Sequence, residues 1–370
     1  MRIGVSARGL AIRVGGVRRM IDEVLRRLPV IGTGHTFLSY QPRGTPVTPG
    51  IEPVWVDAPH AAWWEQVSLP RALRRTRPDV LFAPKTMLPM FLPGGVRSVV
   101  MVHDLLYFPV RGRYLHEYRW HDIAYNRLFY RASCRRADAV VCNSEHTRRD
   151  LLDVCPMPSE KTSVAYLGVT RPRPEQVDER AVGACRARYG VTAPYVLYPG
   201  SLSPRKNMVR GVRAWAEIAV TMPHDLVVTA GKSWRDGEVE AEVDRLGMRA
   251  RFRRLGMVSD DDMPALYAGA DALFFPSLYE GFGLPVLEAM ACGCPVVTAN
   301  ATSLPEAAGD AARLVDPENE ADMVSGLRHV LTDPAYAETL RAKGRERAAR
   351  FTWERTARTM LDVMERVGAA

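Results

Sequence analysis

Two glutamates with seven residues between them, Glu280 and Glu288, enclose Gly281-Phe282-Gly283-Leu284-Pro285-Val286-Leu287. Gly281 and Gly283 carry no β-carbon and let the backbone come close to a ligand, and Pro285 suits the first turn of a helix. A helix starting there offers free N–H groups and its positive dipole end to an anion or to sugar hydroxyls. Glu288, about one turn into that helix, is placed to accept hydrogen bonds from a diol such as a ribose. Glu280, just before it, is placed to reach a sugar. Taken singly, Glu280 reads equally as a capping acid and Glu288 as a solvated helix residue. The intervening glycines and the apolar sequel Ala289-Met290-Ala291 favour a binding site.

A second group lies upstream, in Pro199-Gly200-Ser201-Leu202-Ser203-Pro204-Arg205-Lys206-Asn207. An arginine fork beside a lysine point charge suits a diphosphate that gains charge as its bond to a sugar breaks. The plainer alternative is an exposed basic turn before a helix, but the glycine turn at the end of an expected strand favours function. Gly15-Gly16-Val17 also follows a strand and opens a helix, although glycine pairs are commonly turns. It is not G-x-G-x-x-G, which argues against a dinucleotide oxidoreductase. His103-Asp104 ends another strand, in an exposed catalytic position for this architecture, where a histidine can equally be structural. Asp260-Asp261-Asp262 satisfies Asp-x-Asp, yet after Ser259 and before a helix it reads as helix-start acids and not as a metal site.

These groups need strands to carry them. Short β-branched runs predict strands over 3–6, 54–56, 80–82, 98–102, 139–142 and 162–165, with helices over 17–28 and 114–137. A second series follows over 195–198, 225–229, 252–255, 272–275, 295–298 and 312–315. Alternation of this kind means α/β architecture with parallel sheets covered on both faces. We therefore expect two Rossmann-like, doubly wound domains facing a cleft: residues 1–170, a Pro-rich linker over 171–193, and a second domain over 194–350. In such sheets ligands bind beyond the carboxyl ends of strands, where the groups above lie.

At 370 residues the chain suits two such domains, and 47% hydrophobic with 25% charged content is ordinary for a globular protein. No apolar run reaches the roughly 18 residues of a membrane span. Met1 leads directly into a strand without a leader pattern, so a cytoplasmic location is expected. The formal charge of +8 is almost all arginine, with lysine only at 85, 161, 206, 232 and 343. GC-rich coding explains this as well as attraction to anions does. No nucleic-acid-binding pattern is present. The arginines of helix 17–28 (Arg18, Arg19, Arg26, Arg27) and the aromatic, basic stretch 111–136 read as a solvated basic face over an aromatic core. The alternative is a surface resting on anionic lipid, peripheral to the inner membrane face. The six cysteines lack CxxC pairs or zinc spacing and read as buried thiols.

Glu280-x7-Glu288, followed by Ala291-Cys292-Gly293-Cys294-Pro295-Val296-Val297-Thr298 and Ser303-Leu304-Pro305-Glu306, resembles the signature region of retaining GT-B glycosyltransferases of family 4. The resemblance covers almost the whole C-terminal half and punctuates the N-terminal half, and it implies that residues 1–170 form the acceptor side and 194–350 the nucleotide-sugar domain. It implies that Glu288 binds the donor ribose and that Glu280, with Gly281, Phe282, Gly283 and Leu284, contacts the donor sugar. It gives Arg205 and Lys206, beside Gly200, the leaving diphosphate. Gly15 and Gly16 face the donor phosphates, Met257 and Val258 meet the base, and His103 lies near the donor sugar. Asn143-Ser144-Glu145 also matches and shapes the cleft. In Tyr166-Leu167-Gly168-Val169-Thr170, Leu167 stands where the family commonly has asparagine, which puts a polar role there in doubt. The last segment, 351–370, is implied to be a helix crossing back to the N-terminal domain.

The expected activity is transfer of a hexosyl group from a nucleoside diphosphate sugar (GDP-mannose or a UDP-sugar) with retention of configuration. The acceptor hydroxyl belongs to a glycan, a glycolipid or a small natural product. No cofactor and no metal are expected, and the lack of a well-placed nucleophile fits a same-face displacement in which the departing phosphate helps deprotonate the acceptor. Another GT-B reaction, such as epimerisation, and a non-catalytic nucleotide-sugar binder remain the alternatives.

Overall fold

A computed structural model of the chain describes residues 1–12, 15–108, 120–192, 194–229, 231 and 236–369. Its elements begin β1 (Arg2–Ser6), α1 (Gly16–Ile31), β2 (Thr36–Gln41), β3 (Glu52–Trp55), α2 (Ala61–Trp63) and α3 (Leu69–Thr76), the last two joined by a π turn at Trp64–Ser68. Next come β4 (Val80–Ala83), β5 (Arg97–Val102), α4 (Trp120–Arg136), β6 (Ala139–Cys142), α5 (Glu145–Val154) and β7 (Thr162–Val164). Then follow α6 (Glu179–Tyr189), β8 (Tyr195–Pro199), α7 (Met208–Ala219), β9 (Asp225–Thr229), α8 (Gly237–Arg245), β10 (Phe252–Arg254) and α9 (Met263–Ala268). The chain closes with β11 (Ala272–Phe275), α10 (Leu284–Ala291), β12 (Val296–Ala299), α11 (Leu304–Ala308), β13 (Arg313–Val315), α12 (Glu320–Thr332), α13 (Pro334–Ala349) and α14 (Trp353–Gly368). Residues 111–119 of the aromatic stretch, with the expected start of its helix, lie outside the described residues, as do Lys232 and Ala193.

Two units result: Met1–Gly168 with Phe351–Ala370, and Val169–Arg350. The first holds a parallel sheet of order β3-β2-β1-β4-β5-β6-β7. Its inner strands β4 (Val-Leu-Phe-Ala) and β6 (Ala-Val-Val-Cys) are buried throughout, as strands covered on both faces must be. Strand β2 had no counterpart in the sequence reading. Ser39 and Gln41 interrupt its apolar run, yet both are buried, and Ser39 donates to Gln41 at 2.7 Å. On α14, Trp353, Ala357, Met360, Leu361 and Met364 recur at helical spacing and are buried against α1 and the β4–β6 strands. His35 and Glu365 (2.7 Å) and Arg27 and Glu354 (2.7 Å) tie its polar edge. Arg27 also meets Glu23, and Arg26 pairs with Asp22 at 2.9 Å, so two arginines of the expected basic face are neutralised by carboxylates.

The second unit holds a parallel sheet of order β10-β9-β8-β11-β12-β13. Residues 171–193, expected as a linker, belong to this unit and carry α6. Arg188 grips Asp262 with bonds of 2.7 and 2.9 Å, and the Tyr189 hydroxyl adds a third at 2.9 Å, fastening α6 beside α9. A Pro-rich composition gave no hint of these partners. In each sheet the strand order reverses once, between β1 and β4 in the first and between β8 and β11 in the second. Loops leaving the carboxyl ends of such neighbours diverge and leave a crevice.

Candidate active site

In the second unit the loops after β8 and β11 are stitched together by backbone and side-chain bonds. Leu278 N–H donates to the Arg205 carbonyl at 2.8 Å. Asn207, in the left-handed region at φ 62°, directs its amide to the carbonyls of Pro276 (3.1 Å) and Pro317 (2.6 Å). Asparagine tolerates that backbone better than most residues, and the turn it makes presents Arg205 and Lys206 to the next loop. Gly200, at φ 111°, ends β8 just upstream.

Three sequence-picked residues converge here. Lys206 donates to Glu280 Oε1 at 2.5 Å, and Arg205 Nη1 reaches the same oxygen at 3.3 Å. Arg205 also donates to the Tyr279 carbonyl at 3.3 Å. Lys206 is only 6% exposed, and its ammonium lies 4.5 Å from the centre of the Phe275 ring, a cation–π contact. Burial pushes the Glu280 carboxyl up, but Lys206 and Arg205 outweigh it and hold the group below its ordinary range. The cluster is therefore charged at neutral pH, with two cations against one carboxylate. It retains a net positive charge for an anionic ligand.

The neighbouring positions follow from the loop that carries Glu280. Its backbone N–H donates to Thr302 Oγ1 (3.1 Å), and its carbonyl accepts from Ser303 Oγ (2.8 Å). Gly283 caps α10 at φ 108°, where a β-carbon would lie 2.8 Å from Leu304 Cδ2. Gly281 precedes it in the same loop, and Leu284 is the first residue of α10. Phe282 is 3% exposed, so its ring belongs to the core and only its backbone is available to a ligand. Glu288 Oε2 accepts from the Tyr267 hydroxyl at 3.1 Å. Met257 and Val258 stand on the loop after β10, with Met257 71% exposed. Asp262 is held by Arg188, Tyr189 and Ser259. Among the described residues no group of three His, Cys, Asp or Glu could hold a metal ion.

Gly15, Gly16 and His103 belong to the first unit. Gly15 caps α1 at φ 139°, and Gly16 begins it. His103 Nε2 lies 2.7 Å from the Pro84 carbonyl, which can only accept, so Nε2 carries the proton. Burial lowers its pKa, against the opposing effects of that hydrogen bond and of Asp104, so the ring is neutral at pH 7. Asn143 donates to the His103 carbonyl at 2.9 Å, and Ser144 caps α5. Leu167 is buried.

Sequence reasoning gave no role to Asn207, Tyr267, Thr302, Arg8, Glu65 or Lys85. Lys85 was findable: it is a rare lysine two residues after the end of β4. Glu65 carried no signal, since His60-Ala61-Ala62-Trp63-Trp64-Glu65 reads as an ordinary helix.

Residues 14–173 match the family described as Glycosyltransferase Family 4, and residues 188–347 match Glycosyl transferases group 1. The O-antigen chain mannosyltransferase B of Escherichia coli is 31% identical over 287 residues, covering 76% of this chain and 73% of that protein. The chain belongs to glycosyltransferase family 4. Its fold is that of the GT-B glycosyltransferases. Sucrose-phosphate synthase from Thermosynechococcus elongatus superposes with a TM-score of 0.79 at 20% identity, over 100% of this chain and 99% of that one. Anabaena HepE, solved with UDP and glucose, gives 0.73 at 18% identity over 99% of each chain. This family 4 member is thus a glycosyltransferase. Among its described residues no helix is long and apolar enough to cross a membrane.

Proposed function

We propose that the enzyme transfers a hexosyl group, with mannose the favoured case, from a nucleoside diphosphate sugar to an acceptor hydroxyl, with retention and without a metal. The observation that carries this reading is the meeting of Arg205, Lys206 and Glu280 at the β8/β11 crevice. Two cations at that point stabilise the negative charge that builds on a departing diphosphate, the work done elsewhere by a metal ion. Glu280, held ionised, accepts from hydroxyls of the donor sugar, and Glu288 accepts from the ribose. The name of the Escherichia coli relative supports mannose as the transferred sugar.

The test is thermal melting of the full chain against GDP, UDP, ADP and dTDP, with Lys206→Ala as control. A nucleotide at about 100 times its Kd stabilises the fold by roughly 2.7 kcal/mol. A shift with one nucleotide that disappears in the variant is expected and names the base. No shift with any of the four at millimolar concentration sinks the donor site and leaves a non-catalytic homologue. Anomeric configuration is read separately, by NMR of the product.

A further inference from the structure

The first unit contains a cavity of about 670 Å³ at the carboxyl ends of its strands. Arg8 reaches it from the loop after β1, Lys85 from the loop after β4, and His103 from the end of β5. This is the crevice where the β1/β4 reversal opens the sheet. Tyr107 and Tyr125 add aromatic walls. Glu65 enters from outside the sheet, from the π turn Trp64–Ser68. Single π turns recur at functional sites because the extra residue redirects a side chain.

Glu65 is 6% exposed, and its Oε2 has no hydrogen-bond partner among the described residues. Its Oε1 lies 3.9 Å from Arg8, beyond hydrogen-bond reach. Native interiors seldom leave a buried carboxyl oxygen unpaired without a reason, and a missing ligand is one such reason. The charges narrow the ligand. Among the described residues that line the cavity, Arg8 and Lys85 are opposed by Asp104 and Asp122, with Glu65 adding negative charge when ionised, so these groups give no excess of positive charge to attract a phosphate.

We infer that this cavity takes a neutral, unphosphorylated pyranose as acceptor, with Glu65 as the residue that selects it. This inference rests on the hexosyltransferase reading and deepens it on the acceptor side. Sugar hydroxyls both donate and accept, which matches a carboxyl flanked by an ammonium and a guanidinium, and the pyranose C–H face suits the tyrosine rings. Burial raises Glu65 to about 7 despite Arg8 and Lys85, so near neutral pH the carboxyl serves in either sense. A phosphorylated sugar would meet the two aspartates, and Glu65 whenever it is ionised, as like charges.

Saturation-transfer NMR on the full chain tests this with two probes, methyl α-mannopyranoside and mannose 6-phosphate. The neutral probe should bind at least about tenfold more tightly than the phosphorylated one, and Glu65→Ala should weaken it by about tenfold, the scale of a lost buried hydrogen bond. Glu65→Gln, matched in shape but uncharged, should narrow the preference between the probes. Equal or tighter binding of mannose 6-phosphate, neutral-probe binding unchanged in Glu65→Ala, or no binding of either probe at tens of millimolar overturns the assignment. Nucleotide-induced melting shifts are recorded on the same variants. If nucleotides fail on the wild-type chain while the sugar binds, the donor reading falls, and the cavity stands as a sugar site without its role as acceptor site.

Discussion

Lys206 and Arg205 donate to one and the same oxygen of Glu280. The carboxylate that would orient a donor sugar is thereby positioned by the cations that would receive its leaving group. The two tasks share one rigid cluster.

Lys206→Met should therefore do more than remove a phosphate contact. It leaves Glu280, nine-tenths buried, without its closest counter-charge, a loss of about 3–5 kcal/mol near pH 7. Glu280 titrates below its ordinary 4.5 in the folded chain, so its ion pairs contribute fully above about pH 4.5 and are lost as pH falls through the lower folded value. The variant's deficit in urea unfolding should shrink over that acid range, and a Lys206→Met/Glu280→Gln double variant should recover part of it at pH 7. A deficit independent of pH would contradict the pairing. On the proposed reaction, kcat should drop about 10²–10³-fold in Lys206→Met.

Glu65 titrates in the opposite sense. Its folded pKa of about 7 exceeds the ordinary 4.5, so the folded chain keeps a proton that the unfolded chain gives up. Stability from this group is complete below pH 4.5 and lost as pH rises to about 7, a total of roughly 3 kcal/mol. Glu65→Gln should flatten that slope when unfolding free energy is measured between pH 4.5 and 8. The same slope in variant and wild type would place the titration elsewhere.

Much of this was legible from sequence, for identifiable reasons. Strands β6 and β11 begin and end at the residues that their apolar runs predict, because buried parallel strands are written as unbroken hydrophobic text. The Arg205-Lys206 and Glu280 groups were visible because local order puts them on loops at strand ends. Strand β2 was hidden, since Ser39 and Gln41 satisfy each other only once folded. The binding of α6 through Asp262, and the orphaned oxygen of Glu65, depend on residues distant in sequence, and no local pattern reports them.

Two glycines separate backbone strain from crowding. At Gly283→Ala a left-handed backbone and a contact of 2.8 Å with Leu304 act together, and a loss of about 2–3 kcal/mol is expected. At Gly200→Ala the backbone is also left-handed but nothing lies within 4 Å of the new carbon, so roughly 1 kcal/mol suffices. Urea midpoints of the two variants give the comparison, and equal losses would remove Leu304 from the account.

The His103 ring should be neutral with its proton on Nε2 at pH 7, because burial disfavours the cation and the Pro84 carbonyl claims that proton. Ring ¹⁵N shifts should show an unprotonated Nδ1 there and titration only below pH 6.5. A doubly protonated ring at pH 7 would defeat this.

Helix α14 has a temporal consequence. It completes the core of a unit whose other elements all precede residue 169, while the unit it follows lies wholly between. A ribosome adding about 5–20 residues per second must therefore finish the second unit's entire stretch before Met360, Leu361 and Met364 exist to cover β4 and β5. The segment translated first is the last able to close, and until then its sheet face depends on whatever else in the cell shields exposed apolar surface. Chains halted near residue 350 should accordingly bring the second unit to a protease-resistant state while leaving the first open to cleavage.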